Sequence, residues 1–151
     1  MLAETIQAVD LGHAIQSAIA PVVLISGIGL LLLTLTGRLG RIVDRTRLLV
    51  RERLASSPEH RQVIEAQLRV LARRARLVRL ALGLSAASIA LIGVVVTVLF
   101  VSAFVKLSLA GLVVVLFVAS SLSIVAAMLA FMRELQLSLT ALDMEMPRFD
   151  P

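Results

Sequence analysis

Three long stretches of the sequence contain no charged residue. They cover residues 11–37, 80–105 and 107–132, and they are 27, 26 and 26 residues long. A helix needs about 20 consecutive apolar residues to cross the hydrocarbon core of a bilayer, so each stretch is long enough for one crossing. The pattern therefore predicts an all-α membrane protein with three transmembrane helices.

Only Lys106 separates the second stretch from the third. One helix through both stretches would be far longer than a single crossing requires, so the chain must turn. We expect a tight turn within residues 104–109, where Lys106 and Ser108 are polar. The predicted spans cover approximately residues 14–37, 80–104 and 108–132.

Residues 38–79, between the first two spans, show the pattern of two further helical segments. No proline or glycine follows Gly40 until Pro58, so the first span should continue into this region as one helix. A second helix should begin near Pro58, which suits a first helical turn, and Ser56 and Glu59 have the spacing of a capping box. The segment therefore predicts an antiparallel helical hairpin that extends the first and second spans.

Apolar residues at heptad spacing support this hairpin. On its second arm they recur at intervals of four and three residues, as in a coiled coil, and lead directly into the second span. The positions are Ile64, Leu68, Leu71, Ala75, Val78 and Leu82 on the second arm, and Leu39, Ile42, Val43, Leu49 and Val50 on the first. Two stripes of this width exceed what one pair of helices needs, so we expect contacts with neighbouring subunits.

The charge distribution predicts the orientation of the chain. Residues 38–79 carry 12 basic and 4 acidic side chains, a net charge of +8, whereas the first ten residues carry two acidic side chains and no basic one. Cytoplasmic loops of membrane proteins are enriched in Lys and Arg. We therefore place residues 38–79 and the tail, residues 133–151, in the cytoplasm and the N-terminus outside. The acidic N-terminus also argues against a cleaved signal peptide.

Composition narrows the possible functions. Of the 151 residues, 59% are hydrophobic and none is cysteine, whereas soluble domains are roughly 45–50% apolar. The chain has no motif of a catalytic triad, a phosphate-binding loop or a metallohydrolase, so we expect no enzymatic activity and no cofactor. The basic segment lacks the interleaved aromatic residues of a nucleic-acid site, so we expect no nucleic-acid partner. No charged residue lies inside a span, which argues against a proton-coupled carrier.

A basic cluster follows the first span and supplies the candidate contact residues Arg38, Arg41, Asp44, Arg45 and Arg47. Spacings of three and four residues place Arg38, Arg41 and Arg45 on one helix face. Asp44 is three residues from both Arg41 and Arg47 and can pair with either. The arginines could bind anionic lipid headgroups, contact another subunit or surround a pore mouth, or they could serve only to orient the helix.

Small residues lie along one side of the first span. The candidates for close helix packing are Ser26, Gly29, Gly37 and Gly40, and Pro21 is a candidate kink. This pattern leads us to expect a homo-oligomer that serves as a membrane scaffold or as an interaction or regulatory protein, with an unknown protein partner. The alternative is an ion-conducting oligomer in which the first span lines the pore.

Residues 19–47, IAPVVLISGIGLLLLTLTGRLGRIVDRTR, resemble the opening of a bacterial family of small membrane proteins known as domain of unknown function 2721. The residues that carry the resemblance are Ala20, Pro21, Arg38, Leu39, Arg41, Asp44, Arg45 and Arg47, with Arg133 and Glu134 after the last span. The resemblance implies the three-span plan, a bacterial inner membrane as location, and a common role for Pro21 and the basic cluster. It implies no activity, cofactor or substrate.

Overall fold

The computed structural model describes the backbone of residues 2–105 and 109–145, and the side chains of residues 23–102 and 109–138. The described chain forms three α-helices: α1 (Leu2–Ala55), α2 (Pro58–Val105) and α3 (Ala110–Glu145). Each helix contains a stretch that is long and apolar enough to cross a membrane. The predicted all-helical fold with three membrane-span-like helices is therefore confirmed.

The connection between α1 and α2 consists of two residues, because α1 ends at Ala55 and α2 begins at Pro58. Proline is well suited to the first helical turn, where its missing N–H group has no intrahelical partner to lose. The predicted capping box between Ser56 and Glu59 is wrong. The Ser56 hydroxyl instead donates to the backbone carbonyl of Glu52 at 2.7 Å, so it belongs to the last turn of α1.

The second turn falls where the sequence pattern places it. Helix α2 ends at Val105 and α3 begins at Ala110. Lys106 and Ser108, the polar residues of the predicted turn, lie outside the described part of the chain.

Helix α1 is much longer than a bilayer is thick. Its 54 residues correspond to a length of about 80 Å at 1.5 Å per residue, whereas a hydrocarbon core measures about 30 Å. A large part of the helix must therefore extend beyond the membrane. The basic cluster follows the uncharged stretch of this helix.

Helix α1 packs against α2 through aliphatic side chains that recur every seven residues. The buried positions of its described part are Ile28, Leu35, Ile42 and Leu49. A spacing of seven residues returns to nearly the same side of a helix, so these side chains form one stripe. Leu35 and Ile42 share a buried cluster with Val78 and Ala81 of α2 and Ala130 of α3.

Most of the apolar positions predicted to face each other in the hairpin are buried or half-buried in the structure. All six positions of the second arm are buried or half-buried. On the first arm, Leu39, Ile42, Val43 and Leu49 are buried or half-buried, whereas Val50 is exposed. The periodicity thus identified the packed side of both helices, apart from one residue.

Serine hydroxyls form hydrogen bonds between α2 and α3. Ser88 Oγ lies 3.0 Å from the Ser120 carbonyl oxygen, and Ser120 Oγ lies 3.1 Å from that of Ser88, so each hydroxyl can donate to the opposite helix. The Ser123 hydroxyl donates to the Leu84 carbonyl at 2.8 Å. Small side chains allow two helix backbones to approach closely within a bilayer, where such hydrogen bonds also have no competition from water.

Candidate functional site: a charged junction of three helices

Glu134 is a carboxylate enclosed between the helices, with a side chain that is 0% exposed. It lies two residues beyond the uncharged stretch of α3. Ser120, Ala127 and Ala130, which are also buried, precede it by fourteen, seven and four residues. Residues at these spacings share one side of a helix. The face of α3 that packs in the membrane therefore carries the carboxylate into the interface at the membrane end.

Two arginines from the other helices bind this carboxylate. Arg38 of α1 donates from Nη1 to Oε2 of Glu134 at 3.0 Å. Arg74 of α2 donates from Nε and Nη2 to Oε1, at 3.2 and 2.9 Å. Each carboxylate oxygen thus has its own guanidinium, and the contacts join all three helices. We call Arg38, Arg74 and Glu134 the junction triad.

Further contacts hold the two guanidinium groups in position. The Cζ atom of Arg38 lies over the ring of Phe131, 5.2 Å from its centroid. Arg74 Nη2 also donates to the Ser138 hydroxyl at 2.8 Å. A cation over an aromatic face and a hydrogen bond from a charged donor are both favourable. Both arginines are therefore restrained by α3 at more than one point.

The junction triad carries an excess of positive charge, because two guanidinium groups face one carboxylate. The side chains of Arg38 and Arg74 are 27% and 22% exposed, whereas Glu134 is fully enclosed. The negative charge is thus shielded by its partners while the positive charge reaches the surface. Arg38 directly follows the first uncharged stretch, so the triad lies where the membrane-span-like segments end.

The structure divides the predicted basic cluster into two parts. Arg38 is half-buried in the junction triad, whereas Arg41, Asp44, Arg45 and Arg47 are exposed. Among the described residues, no hydrogen bond or ion pair joins Asp44 to any of these arginines. The charges of the exposed part therefore face the surroundings of the chain.

The predicted small-residue side of α1 is not covered by α2 or α3. Ser26, Gly37 and Gly40 are exposed and Gly29 is half-buried. A Cβ atom added to any of these glycines would meet nothing within 4 Å. Helix α1 continues through Pro21, whose side chain lies outside the described residues.

The sequence pattern singled out Arg38 but not Arg74 or Glu134 as site residues. A signal for Glu134 was present, since it continues the small-residue side of α3 at a spacing of four from Ala130. Arg74 had no such signal, because it is one of 12 basic residues in residues 38–79. In the described part of the chain, no group of three or more His, Cys, Asp or Glu side chains could hold a metal ion.

Comparison with known proteins identifies the family of the chain. The family described as "Protein of unknown function (DUF2721)" matches residues 18–144. The chain belongs to this family. The match covers all three residues of the junction triad and confirms the resemblance seen in the first span. Neither the curated proteins nor the solved structures contain a match to the chain.

Proposed function

We propose that this member of the DUF2721 family is a homo-oligomeric scaffold or interaction protein of the bacterial inner membrane, which associates through the uncovered side of α1. The observation that carries the proposal is that the described part of α1, residues 23–55, is packed on one side only. The stripe from Ile28 to Leu49 is buried, whereas Ser26, Gly37 and Gly40, on the other side, are exposed.

The uncovered side of α1 has the features of a helix–helix interface. Its glycines allow a second backbone to approach closely, and the neighbouring Leu30 and Leu33 are 68% and 72% exposed. Beyond the apolar stretch, the same side carries the exposed Asp44 and Arg47, whose opposite charges can pair between two copies of the chain. A second subunit would thus meet small residues, apolar residues and complementary charges in succession.

The proposal places the N-terminus outside and the paired extensions of α1 and α2 in the cytoplasm as a helical hairpin. The net charge of +8 on residues 38–79 supports this orientation. The exposed Arg41, Arg45 and Arg47 would then face the anionic headgroups of the cytoplasmic leaflet. A topology reporter inserted at Ser57 should give a cytoplasmic signal, and a periplasmic signal would overturn the orientation.

Substitution of the glycines tests the proposed association. We expect detergent-solubilised wild-type protein to have the mass of an oligomer, and Gly37→Leu with Gly40→Leu to shift it to a monomer, since leucine would keep the helices apart. Gly83→Leu and Gly93→Leu are matched controls, because both glycines are exposed on α2 and have nothing within 4 Å of an added Cβ. A monomeric wild type, or equal dissociation by the controls, would overturn the proposal.

An ion-conducting oligomer would use the same side of α1 to line a pore. Liposomes that contain the wild-type oligomer should show no ion flux if the protein is a scaffold. Flux whose ion preference changes in Arg41→Glu with Arg45→Glu would identify a pore instead, because reversal of exposed charges at a pore mouth alters its field.

A further inference from the structure

We propose that the outward N–H groups of Arg38 and Arg74 bind the phosphate group of an anionic lipid. This inference rests on the headgroup contact proposed above and deepens it, since it moves the principal contact from the exposed basic cluster to the junction triad. The site is composed of one residue from α1, one from α2 and the enclosed carboxylate of α3.

The first argument is the set of donors that the triad leaves unused. Arg38 bonds Glu134 through Nη1 alone, and Arg74 bonds Glu134 and Ser138 through Nε and Nη2. Nε and Nη2 of Arg38 and Nη1 of Arg74 therefore make no hydrogen bond to any described residue. About a quarter of each side chain is exposed. The planar fork of a guanidinium matches the geometry of a phosphate.

The second argument is charge. Each oxygen of Glu134 already faces a guanidinium, and the carboxylate is fully enclosed, so it presents little repulsion to a second anion. The triad has a net charge of +1 when its acid and both arginines are ionised. One phosphodiester carries a charge of about −1, so its binding would leave two positive and two negative groups in contact.

The third argument is that the arginines are held in place before a ligand arrives. Contacts with Phe131, Ser138 and Glu134 restrain both side chains. An exposed arginine such as Arg41 loses more side-chain freedom when it binds, which weakens its interaction. The triad should therefore bind a phosphate more tightly than an equal number of free surface arginines.

The fourth argument is position, which favours a lipid over free phosphate. Arg38 follows the last residue of an uncharged stretch, and Glu134 lies two residues after the end of another. Headgroup phosphates lie at this level of a bilayer. On the membrane side, Leu129 and Met132 of α3 are exposed and can contact acyl chains. A free phosphate ion would lack these apolar contacts.

Retention of lipid by the purified protein tests the site. In native mass spectrometry we expect the wild type to retain one phosphatidylglycerol per chain and to release phosphatidylcholine. Arg38→Gln and Arg74→Gln should each weaken phosphatidylglycerol binding at least about 30-fold, since each removes a hydrogen-bonding charge. Arg41→Gln and Arg79→Gln remove exposed arginines nearby, and each should weaken binding about fivefold at most.

Several outcomes would overturn the proposal. If the wild type retains phosphatidylglycerol and phosphatidylcholine equally, the proposal is overturned by that result alone. An equal loss of binding in all four variants would show diffuse attraction to a basic surface. Arg38→Lys is a conservative variant that should still fold, because it keeps the positive charge beside Glu134. It lacks the planar set of donors with which a guanidinium binds a phosphate. If it folds and still retains lipid as the wild type does, the site is wrong.

Two further measurements distinguish a bound lipid from free phosphate, and the junction site from the proposed self-association. If inorganic phosphate raises the thermal stability of the wild type as much as phosphatidylglycerol does, the assignment to a lipid is overturned. The lipid is counted per chain, so the result does not depend on association. A monomer that retains one phosphatidylglycerol would overturn the self-association proposal and support the junction site.

Discussion

Helix α2 has two interfaces of different chemistry. Its contact with α3 uses serine and alanine, with reciprocal hydrogen bonds between Ser88 and Ser120. Its contact with α1 uses large aliphatic residues, among them Leu35 and Ile42 against Val78. The serine bonds lie inside the uncharged stretches, whereas the aliphatic stripe continues from Leu35 inside one such stretch to Ile42 and Leu49 beyond it.

The difference follows from what replaces each contact when the helices separate. In a bilayer, an aliphatic side chain that leaves a helix interface meets lipid tails that are equally apolar, so close packing and hydrogen bonds must hold the helices together. Beyond the bilayer the same side chain meets water, and its burial contributes about 25 cal/mol per Å². The junction triad lies where the small-residue interface ends and the aliphatic stripe continues outward.

The largest effect should come from the junction triad, because it connects both interfaces. Glu134→Gln removes the charge that two guanidinium groups share, and we expect the free energy of unfolding to fall by about 3–5 kcal/mol. A donor and an acceptor dye on introduced cysteines of α1 and α3 can follow unfolding in mixed micelles, since the native chain has no cysteine.

The matched control for this variant is Glu59→Gln. Glu59 is exposed and forms no ion pair with a described residue, so its substitution should change the free energy of unfolding by less than about 0.5 kcal/mol. Equal effects of the two substitutions would contradict a structural role for the enclosed carboxylate.

The aliphatic interface should show the next largest effect. Leu49 is 2% exposed and its neighbour Leu48 is 57% exposed. Leu49→Ala should lower the free energy of unfolding by about 2–4 kcal/mol, because it removes buried surface and leaves a cavity. Leu48→Ala should cost less than about 0.5 kcal/mol in the same assay. Similar losses for both would mean that the α1–α2 stripe is not what holds these extensions together.

The serine interface should show a smaller effect. Ser88→Ala removes the reciprocal hydrogen bonds with Ser120, and we expect a loss of about 0.6–1.7 kcal/mol. Thr97→Ala is the control, because the Thr97 hydroxyl bonds only the Gly93 carbonyl of its own helix. In a double-mutant cycle, Ser88→Ala and Ser120→Ala should be less than additive, and full additivity would contradict a direct bond between them.

The smallest effect, of opposite sign, should come from Ser85. Its hydroxyl is buried and has no hydrogen-bond partner among the described residues. Ser85→Ala removes an unsatisfied polar group, so the free energy of unfolding should rise by up to about 1 kcal/mol. A measured loss would show that this hydroxyl has a partner in the folded protein.

Local features explain how much of the fold was predictable. The uncharged stretches predicted three helices long and apolar enough to cross a membrane, Pro58 located the start of α2, and heptad spacing identified Ile64 and Val78 as packed positions. Each of these signals acts within a few turns of helix. The predicted capping box at Ser56 was wrong because the Ser56 hydroxyl bonds backward to the Glu52 carbonyl of α1.

The candidate site was predictable only in part, because its residues are distant in the chain. Arg38 and Glu134 are separated by 96 residues, and Arg74 and Glu134 by 60. Arg38 and Arg41 have the same chemistry and nearly the same position. Their difference in burial depends on how α1 is rotated relative to α3, which the aliphatic stripe that packs against α2 does not specify.

Sequence patterns alone predicted three long apolar helices, the start of α2 near Pro58, and the side of α2 that is packed. These features follow from hydrophobicity, periodicity and backbone preference, which are properties of neighbouring residues. Only the tertiary structure decided that Arg38 and Arg74 meet at Glu134 and that the glycine side of α1 remains uncovered. These features depend on how the helices rotate against one another, and a rotation that encloses one charge leaves another exposed.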